Sequence, residues 1–120
     1  MSYEYYLEFS DTNWLDTHEK SVSEFIMRLP TYSERDETGY WLRGHEEPES
    51  PGRAHDVRIV LPATPPSYLR TRGAVQGCLE VYGSPASIRR DLRALLWFIR
   101  QNSNVSVIDD DGEECAWGKP

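Results

Sequence analysis

The residues best equipped for chemistry lie near the end of the chain, in VIDDDGEEC, residues 107–115. Three aspartates, a glycine, two glutamates and a cysteine suit either a divalent-cation site or a tight turn. A calcium loop of the EF-hand type needs ligand oxygens at its positions 1, 3 and 5, glycine at 6 and a bidentate glutamate at 12. With Gly112 at position 6, Asp109 and Asp111 fall correctly, but Val107 takes position 1 and Gly118 position 12. Neither can ligate, so the register fails at both ends. Asp-Gly is a favoured centre for a two-residue hairpin turn, because both central residues must accept positive φ. The stretch is therefore read as a turn centred on Asp111 and Gly112, between VSVID and EECAW, and no metal ligand is assigned. Its surplus carboxylates would suit weak binding of a divalent ion, or a negative loop presented to a cationic partner.

The other reactive residue types are scattered. His18, His45 and His55 form no His-Glu-x-x-His pattern, and Cys78 and Cys115 no Cys-x-x-Cys pattern. There is no G-x-S-x-G elbow, no phosphate loop and no dinucleotide glycine motif, so no cofactor is implied. His45 and His55 flank an acidic, proline-rich stretch, HEEPESPGRA, with Glu46, Glu47 and Asp56 nearby. One reading makes His45, His55 and Asp56 the working residues of a small enzyme or ligand pocket beside the 44–56 loop. The plainer reading makes them solvated loop residues. His18 falls in a helical apolar stripe and reads as a core-edge residue. Cys78 is placed on a strand, where a free thiol behaves as a small hydrophobe.

One helix carries a more specific pattern. In SPASIRRDLRALLWFIRQ, the residues Arg89, Arg93, Trp97 and Arg100 fall on one side at 100° per residue. The arc is a solvated face, an anion or nucleic-acid site, or a protein interface, since Trp and Arg anchor hot spots. Phe98 points to a third side, where a helix packed only once needs no aromatic ring.

Charge narrows the partner classes. The chain has 120 residues and a net charge of −7. Residues 1–60 carry 13 acids and 6 bases, whereas residues 61–120 carry 7 of each. An acidic first half argues against non-specific nucleic-acid binding, which needs clustered Lys and Arg. It suits a basic protein partner, or simple solubility. No apolar run approaches the ~20 residues of a membrane span, and the first residues show no secretory pattern. A cytoplasmic protein with free thiols is the expectation.

These residues need elements to hold them. YEYYLEF alternates Tyr3, Tyr5, Leu7 and Phe9 with Glu4, Tyr6 and Glu8, the period of a half-buried strand. Trp14, His18, Val22, Phe25, Ile26 and Leu29 follow helical spacing, with Asp16/Glu19 or Ser21/Glu24 as capping boxes and Pro30 as the stop. Strands are expected over 38–44, around HDVRIV, in AVQGCLEVYG, in VSVID and, briefly, at 113–117. In AVQGCLEVYG, alternation places Val75, Gly77, Leu79 and Val81 inward and Gln76, Cys78, Glu80 and Tyr82 outward. The second helix is expected to start with Ser84 as N-cap and Pro85 as first residue, and to bury Ile88, Leu92, Leu95, Leu96 and Ile99.

The order β-α-β-β-β-α-β-(β) predicts a single α+β domain over residues 1–120. It is expected to be a two-layer sandwich, with two helices on one face of a mostly antiparallel sheet of five or six strands. A ferredoxin-like core with an added hairpin is one arrangement that fits. The free sheet face would show Tyr6, Cys78, Tyr82 and either Tyr40 or Trp41 among Glu4, Glu8 and Glu80. That mixture of aromatics and acids is an unusual surface to leave to water. The expected function is a small acidic protein-binding module, of inhibitor or immunity type, that covers a basic partner through Glu4, Tyr6, Glu8, Glu80 and Tyr82. A homodimer through the same sheet is a further possibility.

Overall fold

The structure, a computed structural model, describes residues 3–46, 52, 54–69, 71 and 73–115. It is an α+β sandwich in which two helices pack on one face of a seven-stranded antiparallel sheet. In chain order the elements are β1 (Tyr3–Phe9), α1 (Trp14–Met27), β2 (Tyr32–Asp36), β3 (Gly39–Leu42), β4 (Val57–Val60), β5 (Ala74–Val81), α2 (Ala86–Arg100), β6 (Val105–Ile108) and β7 (Glu114–Cys115). The sheet order is β2-β3-β4-β5-β1-β6-β7. Its middle, β4-β5-β1-β6, with a helix after β1 and after β5, is the split β-α-β arrangement. The β2–β3 hairpin extends it at one edge. There are seven strands, not five or six, because β2 pairs with β3 although its sequence, YSERD, is polar on both faces. Among the described residues, no helix is long and apolar enough to cross a membrane.

The helix-facing side of the sheet is built by period two. Leu7, Phe9, Tyr40, Leu42, Val57, Ile59, Leu79, Val81, Val105 and Val107 are all buried in one cluster with the helices. From α2 the cluster takes Ile88, Leu92, Leu95, Leu96 and Ile99, the expected stripe. Phe98 stacks on Phe25 of α1 with ring centroids 4.4 Å apart, so its third side is the helix–helix seam.

Alternation breaks at one place. Leu7 pairs with Gly77 but Glu8 pairs with Val75, so Gln76 is an extra residue on β5, a β-bulge. The bulge reverses two expected orientations. Val75 packs on the far face beside Tyr6 and Cys78. The Gln76 side chain instead serves the start of α1, accepting from Leu15 N at 3.3 Å and donating to Asp11 O at 2.8 Å.

Both helix starts differ from the expected caps. Asn13 precedes α1 without a side-chain cap, so neither Asp16/Glu19 nor Ser21/Glu24 forms the box. Within α1, His18 leaves helical geometry, and its Nδ1 lies 2.8 Å from Trp14 O. The ring thus bonds back onto the first turn of the helix at the kink. For α2, Ser84 is not the cap. Glu46 reaches the helix start from the β3–β4 connection, its Oε2 accepting from Ser87 N at 3.0 Å. The Ser87 hydroxyl donates to Oε1 of the same carboxylate.

Glu46 yields a pH prediction. The Ser87 hydrogen bonds hold its carboxyl at about 2, below the ordinary 4.5. Asp36 is also held at about 2, below 3.8, by the Thr38 and Trp41 side chains that donate to it. A carboxyl with a lowered folded-state pKa stabilises the fold above its unfolded value and loses that contribution as pH falls through the folded one. Thermal melts between about pH 5 and pH 2 should therefore fall more steeply for the wild type than for a Glu46→Gln, Asp36→Asn variant. Parallel pH profiles would show that neither carboxylate matters to acid stability.

Candidate functional site

Strand register brings a row of charged and aromatic side chains together across the face of the sheet away from the helices. Trp41 pairs with Arg58, Arg58 with Glu80, and Glu80 with Glu4. The guanidinium of Arg58 grips the Glu80 carboxylate through both Nε and Nη2, and lies 5.5 Å from the Trp41 ring centroid. His55 extends the row past Trp41, with ring centroids 4.9 Å apart, and its Nε2 lies 3.5 Å from a Glu34 carboxylate oxygen. At the other end, Tyr6 OH donates to Glu4 at 2.9 Å, and Tyr82 OH donates to Glu80 at 3.3 Å.

Among the described residues, the acidic end of the row holds more charge than it neutralises. Glu4 and Glu80 face each other directly on neighbouring strands, an arrangement that like charges make unfavourable. Asp110, in the β6–β7 turn, completes the cluster. Its carboxyl is raised above the ordinary range by burial, then by Glu4, Asp109 and Asp111. The Tyr6 phenol is raised well above its ordinary value, first by burial and then by Glu4. Burial, with Glu4 and Glu80 beside it, pushes the Cys78 thiol up to about 12 and keeps it protonated at neutral pH.

The expected surface is thus brought together, but part of it is covered. Glu4, Tyr6, Glu80 and Tyr82 all lie on the outer face. Tyr6 is only 4% exposed and Glu80 only 9%. Ala63 and Leu69, from the β4–β5 connection, pack over the Tyr6–Cys78–Ile108 cluster. Glu80 is buried, and its carboxylate is paired with Arg58. Glu8 lies further along β1, opposite Val75 and Ser106, outside the charged row. Trp41 is the β3 aromatic on this face, and Tyr40 is buried on the helix side.

On α2, Arg89, Arg93 and Trp97 are exposed, Trp97 at 63%. Two of the arginines are tethered locally. Arg89 Nη1 donates to Ser84 O at 2.6 Å, and Arg100 Nε donates to Val105 O at 3.3 Å.

The loop residues go separate ways. Asp56 is buried and accepts from Gly44 N at 2.7 Å. The His45 ring lies 3.1 Å from Pro30 O, while His55 joins the outer-face row. Residues 47–51 and 53 of the expected 44–56 pocket, and 116–117 of the last expected strand, lie outside the described residues.

The 107–115 stretch is a hairpin turn, with a different loop from the expected one. Asp109 N donates to Glu113 O and Gly112 N to Asp109 O, each at 3.0 Å, which leaves three loop residues instead of two. Gly112 alone in this turn has positive φ, +82°, so Asp111 is spared that conformation. Asp109 Oδ1 accepts from Asp111 N and Glu113 N, which commits it to the turn itself. Among the described residues, no three His, Cys, Asp or Glu side chains group as a metal site.

Sequence reasoning missed Trp41–Arg58–Glu80 as a unit and Asp110 as its neighbour. Alternation in HDVRIV places Arg58 outward, but only the register shows which carboxylate it meets. Comparison of the chain with protein-family models, with curated proteins and with solved structures gave no match.

Proposed function

We propose that the chain is a protein-binding module that takes a basic partner on the outer face of its sheet, as a small inhibitor or immunity-type protein does. The observation that carries this reading is the direct opposition of Glu4 and Glu80, with Asp110 beside them and Arg58 as the cation of the row. Unbalanced carboxylates on neighbouring strands disfavour the free fold. A Lys or Arg side chain from outside relieves that repulsion and gains charge-assisted hydrogen bonds. Tyr82, half-buried at the edge of the cluster, supplies an aromatic contact of the kind that anchors interfaces.

Glu80 is a poor residue with which to test this, since changing it breaks the Arg58 pair. Glu4→Gln with Asp110→Asn leaves that pair intact. The double variant should lose more than about tenfold in affinity, or 1.4 kcal/mol, for a basic partner captured by the wild-type chain. Association should also slow with added salt. A captured partner that binds both chains equally would reject the face.

Asp110→Asn alone has a second expected effect. A carboxyl whose folded-state pKa is raised is a cost to the fold at neutral pH, and the cost disappears on protonation. Because Asp110 is exposed, removing the charge should stabilise by only about 0.5 kcal/mol or less. A drop in melting temperature at pH 7 would contradict this.

The exposed Trp97 favours a second reading, in which Arg93 and Trp97 on α2 form the docking face. Under that reading Trp97→Ala, and not the Glu4, Asp110 pair, weakens the captured complex.

A further inference from the structure

On the helix side of the sheet, opposite the charged row, a cavity of about 240 Å³ lies between α1 and the β3–β4 part of the sheet. Its apolar wall is Leu15, Val22, Tyr40, Leu61 and Pro62. Two carboxylates, Asp16 and Glu19, also line it, and both are exposed to solvent. We infer that this cavity is a binding site for a small organic cation, an ammonium or guanidinium on a short apolar body.

The cavity has a traceable cause. A side chain at Gly77 would meet Leu61 Cδ2 at 2.5 Å, so glycine there lets Leu61 lie down against the sheet. Leu61 therefore forms wall instead of rising to fill the space under α1. On the helix above, Leu15, Val22 and Ile26 are buried, and the position between Leu15 and Val22 in that stripe is Glu19. An apolar residue there would extend the apolar wall at the position Glu19 lines. A carboxylate gives that position charge instead.

Charge complementarity chooses the occupant. Asp16 and Glu19, on either side of the His18 kink, both line the cavity from α1. Arg35 is the nearby cation, its guanidinium 4.8 Å from the Tyr40 centroid and its Nη1 donating to Ser23 Oγ at 3.4 Å. Tyr40 and Ser23 are both wall residues, so a guanidinium already rests against one side. Among the described residues, one cation against two carboxylates leaves the site net negative. An incoming cation can meet the acids while its apolar body takes the Leu15–Leu61 wall. The volume, below the roughly 300–1,000 Å³ of pockets that hold drug-sized molecules, suits a small ligand.

This site shares no residue with the proposed partner face and stands without it. The test is an amide NMR titration of the full chain at low salt with three probes of one shape: phenethylammonium, 2-phenylethanol and phenylacetate. The ammonium should shift the amides of residues 15–23 and of Tyr40 saturably, and bind about fivefold more tightly than the alcohol, the size of effect two exposed charge pairs supply. Phenylacetate should bind most weakly. An Asp16→Asn, Glu19→Gln variant should remove the ammonium's advantage over the alcohol. Both residues are exposed, so the variant should fold, and its own spectrum reports whether it does. If it does not, the ranking of probes on the wild-type chain decides alone. Equal binding of ammonium and alcohol would reduce the site to an apolar hole and overturn the inference. So would shifts centred on Glu4 and Glu80 instead, or no saturation by about 10 mM, where affinity is negligible even for so small a ligand.

Discussion

Replacing Leu95 with Ala is expected to lower the unfolding free energy by about 2–5 kcal/mol. Leu95 is 1% exposed, in the middle of the α2 stripe. Truncation loses the transfer free energy of the side chain and leaves a void. Its α2 neighbours Leu92, Leu96 and Ile99 are buried in one cluster with the inner face of the sheet, which limits how far the site can collapse. A domain of this size has only ~5–15 kcal/mol in total, so the change should be visible as a shifted urea midpoint with little change in slope. Arg93→Ala on the exposed side of the same helix is the control, expected within about 0.5 kcal/mol of wild type. If Leu95→Ala costs no more than that control, the helix is not seated on the sheet through this face.

That α2 stripe is legible in the residues alone, because five apolar side chains recurring at helical spacing leave one face to bury. β1 is legible for the same reason at period two. Local pattern fails wherever a tertiary partner outweighs it. The β2 sequence carries Ser33, Glu34, Arg35 and Asp36 with no apolar face, yet it pairs with β3 as an edge strand. Its polar side chains find partners on β3, with Trp41 Nε1 donating to Asp36 at 2.7 Å and the Arg35 guanidinium over the Tyr40 ring. The Ser84 cap does not form because Glu46, 41 residues from Ser87, takes the donor that a local cap would have satisfied. Gln76 escapes the alternation because a bulge shifts it by one, and nothing in AVQGCLEV marks the bulge except the glycine beside it.

The candidate site is legible by side of the sheet and not by neighbour. Period two places Glu4, Tyr6, Arg58, Glu80 and Tyr82 on one face. It does not say that Glu4 and Glu80 meet, that Arg58 meets Glu80, or that the β4–β5 connection covers Tyr6. Those follow from strand order and register, which bring residues 22 and 76 positions apart into a single row.

Arg58→Leu should therefore act on stability and on binding in opposite directions. Arg58 and Glu80 keep only 25% and 12% of their side chains exposed, so the pair is largely withdrawn from water. Taking away the guanidinium leaves Glu80 enclosed and opposite Glu4. Removing one member of a buried pair costs roughly 3–5 kcal/mol, and the exposed quarter of Arg58 argues for the lower end, about 3 kcal/mol. Adding Glu80→Gln should recover most of that loss, because a neutral amide neither repels Glu4 nor needs a cation. A double-mutant cycle should give a coupling above about 1 kcal/mol. If the two changes simply add, the pair is not what holds Arg58 in place, and its packing on Trp41 is the remaining candidate. Binding should respond the other way. Arg58 competes with an incoming cation for Glu80, so its loss makes the face more negative and should speed association with a basic partner at low salt. A less stable Arg58→Leu chain that also binds its partner more weakly would mean that Arg58 itself touches the partner, and the acidic end of the row would no longer be the centre of the interface.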